Sequence, residues 1–148
     1  MARTNGGTAH LTKPQQAAAI AVRRKNGAFE VCLIRRKGSN NWGIPKGSVD
    51  PGDTHEETAL KEAWEEAGIS GRLIGEVMGT YEYEKWSARL EVAVYLMEVL
   101  KQHPEWQEAS FRERRWTSFA DAATLLVGHP AREFLNRARV RATDSIPS

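Results

Sequence analysis

The sequence holds a single cysteine, so no disulfide can form within the chain. Cys32, set between Val31 and Leu33, reads as a small buried hydrophobe, and this usage fits a reducing cytosol. No apolar run approaches the ~20 residues that a spanning helix needs. The longest, Val92 to Leu100, is interrupted by Glu98. No basic segment followed by an apolar stretch opens the chain, so the expectation is a cytoplasmic protein without membrane attachment. Neither sign of charge dominates: 21 Lys and Arg against 19 Asp and Glu leave +2, too mild to argue for a nucleic-acid polymer as partner. Glycine-rich phosphate loops of the GxGxxG or GxxxxGK[ST] kind are missing, which argues against a Rossmann or P-loop nucleotide site. There is no internal repeat and no low-complexity tract.

What remains is enough for one packed domain. The chain has 148 residues, of which 41% are apolar and 27% charged, a balance that excludes wholesale disorder and collagen-like structure. Residues 1–13 have no period and read as a loose arm, 14–142 as the domain, and 143–148 as a frayed end. Gln16 to Arg23 reads as a buried strand. Asn26-Gly27 signals a hairpin turn, because both central positions of a type I′ turn want positive φ. Phe29 to Arg35 is then the return strand. Leu73 to Tyr83 and Arg89 to Leu100 read as two further strands, and Glu113 to Thr117 as a short one. Phe119 to Val127 and Ala131 to Arg141 carry helical spacing. Strands interleaved with helices give a mixed α/β domain. The cations gather in two knots, Arg23-Arg24-Lys25 and Arg35-Arg36-Lys37, near the ends of neighbouring strands, while acids crowd Asp50 to Glu66.

The most sharply punctuated segment begins at Trp42. A loop rich in glycine and proline leads to Asp50-Pro51-Gly52-Asp53, which has proline and glycine at the centre of a type II turn. Thr54 then caps a helix, Glu57 completes a capping box, and Gly68 is the stop. Within that helix Glu62, Glu65 and Glu66 fall in a sector of roughly 100°. Leu60, Ala63, Trp64 and Ala67 point away from it, toward a core. Glu62 and Glu66 repel each other by about 0.2–0.5 kcal/mol at this spacing. A face meant only for solubility mixes its signs better. Clustered carboxylates suit Mg²⁺ or Mn²⁺, which keep waters or phosphates as remaining ligands. Zinc is disfavoured, since the cluster has neither a cysteine nor a paired histidine.

The segment from Gly47 to Ile69 resembles the Nudix box. That pattern is Gly, five residues, Glu, seven residues, then Arg-Glu-U-x-Glu-Glu-x-Gly-U, with U aliphatic. Here Gly47 is followed after five residues by Asp53, and after seven more by Lys61-Glu62-Ala63-Trp64-Glu65-Glu66-Ala67-Gly68-Ile69, without a gap. Asp53 stands for Glu, Lys61 for Arg, and Ala63 is a weak aliphatic. The first two changes alter both partners of what reads as one ion pair beneath the loop, so they can compensate each other; Lys nevertheless lacks the bidentate contact of Arg. Trp42 to Gly47, Arg114-Arg115-Trp116, Asp121-Ala122 and His129-Pro130 are similar to the diphosphoinositol polyphosphate phosphohydrolase and diadenosine polyphosphate hydrolase branch.

The resemblance implies a Nudix-type α/β/α sandwich with a mixed central sheet and a loop-helix catalytic motif. It implies a Mg²⁺-dependent pyrophosphohydrolase, with Mn²⁺ as a substitute, acting on a phosphorylated small molecule as a monomer or homodimer. Carried over by position, Gly47, Glu62, Glu65 and Glu66 are the metal ligands, with Glu65 and Glu62 the catalytic carboxylates. Lys46, Lys85, Arg114 and His129 are substrate contacts, joined by Arg35 and Lys37, which strand alternation puts on one side with Arg36 on the other. A further acidic ligand from a later loop is open among Glu105, Glu108 and Glu113. The expected substrate is a diphosphoinositol polyphosphate or a diadenosine polyphosphate. The alternatives are a nucleotide-sanitising or ADP-sugar hydrolase, or a Nudix-fold binding domain whose catalysis has lapsed.

Overall fold

The computed structural model describes residues 13–148, and the arm read over 1–13 lies almost wholly outside that range. The elements are β1 (Gln16–Lys25), β2 (Ala28–Arg36), β3 (Lys46–Ser48), α1 (His55–Ala67), β4 (Ile69–Leu73), β5 (Gly79–Lys85), β6 (Ala88–Gln102), β7 (Arg112–Thr117), α2 (Phe119–Leu125), a 3₁₀ turn (Pro130–Phe134) and α3 (Leu135–Ser145). The sheet order is β4-β6-β1-β2-β7, with β3 also on β1 and β5 also on β6. Only β1 and β6 among these pairs run parallel, so the sheet is mixed.

β1 explains how two helical layers reach one sheet. Ala18, Ile20 and Val22 point to the face covered by α2 and α3, whereas Ala17, Ala19 and Ala21 point to the face covered by α1. On that second face they meet Ala59, Ala63 and Ala67, all fully buried. Alanine against alanine lets the helix axis lie close to the sheet, as native packing density requires. Cys32 lies in the same layer with no exposure, and burial pushes its thiol up to about 12.

Asn26 and Gly27 both take positive φ at the β1–β2 turn, as the sequence implies. The two basic knots do finish neighbouring strands, β1 and β2, but at opposite ends of the pair. Arg24 pairs with Phe29 at the hairpin end, while Arg35 and Arg36 finish β2 at the other end and pair with β7. The knots are therefore separated by the length of a strand, roughly 20 Å at 3.3 Å per residue.

Three further expectations change. The stretch read as one strand over Leu73 to Tyr83 is two strands, both on β6. Ile74 and Met78 keep hydrogen bonds to Leu96 and Val94, and Gly75 turns the chain between them at φ 72°. Trp64 is not core: it is 41% exposed and lies edge-on to His103, because the buried stripe of α1 is the alanine row. The end of the chain is not frayed. α3 runs to Ser145, Ile146 is 4% exposed, and Arg24 donates to the carbonyls of Ile146 and Pro147 at 3.1 and 3.2 Å. Burying an isoleucine side chain stabilises by about 1.5–3 kcal/mol, enough to hold a terminal turn. Among the described residues no helix is long and apolar enough to cross a membrane.

Candidate active site

The loop before α1 is fixed by the sheet it crosses. Gly43 exchanges backbone hydrogen bonds with Ile34, Pro45 accepts from the Ala19 amide, and β3 pairs with the start of β1. The Asp50–Asp53 turn closes with a 3.0 Å hydrogen bond, with Gly52 at φ 90°. Thr54 then accepts the Glu57 N–H and Glu57 accepts the Thr54 N–H, a complete capping box. Lys61 reaches back to Asp50 at 3.1 Å and Asp53 at 3.5 Å. The two departures from the box pattern are thus partners in one exposed cluster beneath the loop.

α1 delivers its carboxylates to that loop. A Cβ on Gly47 would stand 2.3 Å from Cδ of Glu62, so glycine here lets that carboxylate lie against the loop and any larger residue would displace it. Glu66 is buried and accepts the backbone N–H of Lys46 at 3.0 Å. Burial pushes Glu62 up to about 7, reinforced by Glu65 and Glu108, despite the opposing effect of Lys61. Burial also pushes Glu66 up to about 7, against the pull of Arg112 and the Lys46 amide. Arg112 offsets this only in part, and two carboxylates held this close resist ionising together, which a hard cation would relieve. Among the described residues no closed group of three His, Cys, Asp or Glu ligands is assembled. The donors are two converging carboxylates with Glu65 and Glu108 beside them, a set suited to a cation that keeps water and substrate oxygens.

Of the three later acids, Glu108 is the one brought to the helix. Its backbone N–H donates to the Glu65 carbonyl, and its side chain pairs with Arg112, which also reaches Glu66 at 3.4 Å. Glu113 pairs instead with Arg35 at 2.6 Å. A cleft of about 320 Å³ opens beside Glu66, walled by Arg35, Arg36, Lys46, Arg112, Trp42 and His129. A neighbouring groove of about 540 Å³ shares Arg35, Trp42 and Arg112 and adds Lys37, Arg114 and Arg115. His129 accepts the Ala131 N–H at Nδ1, so the neutral ring carries its proton on Nε2, beside Gly43. Burial, then Lys46, lowers its pKa.

The structure sorts the expected substrate contacts. Arg35, Lys46 and His129 line the cleft, and Lys37 lines the groove. Lys85 does neither: it lies over the Trp86 ring beside the exposed β5–β6 turn. Arg114 lines the groove, yet its Nη1 is committed to the carbonyls of Ala67 and Gly68. Arg36 and Arg112 belong to the cleft and were not on the expected list. They are register partners on the face of Ile34 and Cys32, the face that α1 covers. The i, i+2 alternation from Arg114 to Arg112 was the available signal.

The NUDIX domain profile matches residues 13–138. The chain belongs to the NUDIX family. It is similar to Nudix hydrolase 21, chloroplastic, of Arabidopsis thaliana, with 33% identity over 118 residues, 75% of this chain and 59% of that protein. It is also similar to diphosphoinositol polyphosphate phosphohydrolase 3-alpha of Mus musculus, 24% identical over 117 residues, 78% of this chain and 70% of that one. Its NUDIX fold matches the binary complex of a C. elegans Ap4A hydrolase at a TM-score of 0.74 and 21% identity, covering 89% of this chain and 99% of that one. The chain spans 59%, 52% and 61% of the lengths of three Arabidopsis relatives.

Proposed function

We propose that this NUDIX domain is a Mg²⁺-dependent hydrolase of a diphosphate bond in a highly phosphorylated small molecule, a diphosphoinositol or diadenosine polyphosphate. The observation that carries this reading is the pair Glu62 and Glu66, pressed together against the Gly47 loop at the mouth of a cleft walled by cations. Glu62 and Glu66 would hold the cation, with Glu65 and Glu108 at its margin and Mn²⁺ as a substitute. When bound, it neutralises phosphate charge and acidifies a water.

The chain's own groups do the rest. Glu65 takes a proton as the water oxygen bonds to phosphorus, and the bridging P–O bond breaks with its electron pair leaving on the departing phosphate. Arg36, Arg112 and Lys46 orient phosphate oxygens in the cleft, and His129 donates through Nε2. Arg35, Lys37 and Arg115 in the groove take outlying phosphates through charge-assisted contacts. The single Cys32, kept as a buried thiol, supports a reducing compartment such as the cytoplasm.

Hydrolysis tests the reading, followed by chromatography of the phosphorylated products over inositol pyrophosphates, diadenosine penta- and hexaphosphate, ADP-ribose, nucleoside triphosphates and an 8-oxo nucleotide. Turnover with Mg²⁺ or Mn²⁺ and none in excess EDTA is expected, with the most phosphorylated compounds fastest. Robust turnover in EDTA overturns the cation requirement. A clear preference for ADP-ribose or the 8-oxo nucleotide overturns the substrate class and leaves the carboxylate chemistry standing.

A further inference from the structure

The last turn of α1 has no basic residue of its own. Yet four consecutive carbonyls there find donors from one segment, residues 103–114. The Glu108 N–H donates to Glu65 at 3.1 Å, and the His103 N–H to Gly68 at 2.8 Å. Trp106 Nε1 donates to Glu66 at 3.0 Å, and Arg114 Nη1 to Ala67 at 2.8 Å and Gly68 at 3.3 Å. Carbonyls at a helix end otherwise turn to water, and a cation beside them is favoured by the helix dipole. The Arg114 guanidinium stacks 4.1 Å from the centre of the Trp106 ring. Both press on Gly68, where a Cβ would stand 2.8 Å from each. The same segment also reaches the Glu66 side chain through Arg112. Main chain and carboxylate of one residue are thus held from a single neighbouring segment.

We propose that Trp106 and Arg114 are positioning residues for the acidic helix. By fixing the carbonyls of Glu66, Ala67 and Gly68 they set the rotation of its last turn. That rotation brings the Glu66 carboxylate to the Lys46 amide and beside Glu62. The role rests on the reading of Glu62 and Glu66 as cation ligands. Partners that orient ligands without touching the metal usually govern affinity or activity by 10–100-fold, about the effect expected here.

Three variants separate alignment from bulk stability. Trp106→Phe keeps a ring and removes the N–H; Arg114→Lys keeps charge and one donor; Arg114→Leu removes both. Each is compared with wild type, with Asp144→Asn on the exposed side of α3, and with Glu66→Gln. The measurements are Mn²⁺ titration followed by electron paramagnetic resonance, kinetics with the fastest substrate of the panel, and Tm in EDTA. Trp106→Phe and Arg114→Leu are expected to bind Mn²⁺ about tenfold more weakly, with kcat lowered by a similar factor and KM within about twofold. Arg114→Lys recovers most of the loss, and Asp144→Asn matches wild type.

Lower Tm with wild-type Mn²⁺ affinity and kcat in the folded protein overturns the positioning role. Where Arg114→Leu fails to fold, Trp106→Phe and Arg114→Lys decide. Affinity lost in Glu66→Gln but kept in the Trp106 and Arg114 variants overturns this role alone. Affinity kept in Glu66→Gln overturns the ligand reading, and the positioning role with it.

Discussion

Two residues, Gly47 and Glu66, do most to place the carboxylate pair. Gly47 needs no unusual backbone angle; what it supplies is space, since a methyl there would lie 2.3 Å from Cδ of Glu62. Gly47→Ala is expected to displace that carboxylate by about 1 Å and to lower kcat about 10²-fold, because misplacement on that scale costs that much. A kcat within twofold of wild type would show that Glu62 need not sit against the loop. Glu66→Gln keeps the shape and an acceptor for the Lys46 amide but removes the charge, so turnover should fall by about 10²-fold or more while the protein stays folded. Its effect on stability has a definite sign. Without a cation the folded carboxylate sits at about 7, above the 4.5 of the unfolded chain. The native state then binds more protons, and this contribution is lost as pH rises from 4.5 through 7. In EDTA, Glu66→Gln should therefore gain Tm relative to wild type between pH 5 and pH 7.5. A Tm difference that stays flat across that window would contradict the buried pair.

At the scale of the element, α1 shows which end of a helix a sequence advertises. Its N-terminus is built from neighbours in the chain: Thr54, Glu57 and acids in the first turn. Thr54→Ala removes a side-chain acceptor for an otherwise unpaired N–H, and a loss of about 1 kcal/mol in denaturant unfolding is expected. An unchanged unfolding midpoint would mean the cap is dispensable. Its C-terminus is different. Gly68 is legible as the stop, at φ 66°, but the donors to the last carbonyls come from His103, Trp106, Glu108 and Arg114, more than 30 residues away. That is also why Arg114 reads from sequence as a substrate contact and is found committed to a helix end.

For the whole molecule, the decisive quantity is where charge ends up. The first basic knot finishes at the hairpin turn, where Arg24 secures the C-terminal tail. The second joins Arg112, Arg114 and Arg115 of β7 around the cleft and groove. Binding of a multiply charged substrate should then weaken as salt rises, since partly exposed contacts are screened over ~8–10 Å at physiological ionic strength. Lys37→Glu should raise KM more for the most phosphorylated compound of the panel than for the least. An equal rise across the series would make Lys37 an ordinary surface residue.

The hairpin, the capped helix, its glycine stop and the carboxylate face were legible in the sequence because each depends on residues within a turn or two of one another. The α/β class and the NUDIX family followed from that local grammar. Tertiary structure alone decided which cations meet the carboxylates, since strand register pairs Arg36 with Arg112 and sends Lys85 to the β5–β6 turn. It also decided that Glu108 rather than Glu113 comes to the helix, that Trp64 is exposed beside an alanine face, and that Ile146 closes the core. Those outcomes depend on side-chain volume and on register between segments far apart in the chain, and neither is written in any short window of residues.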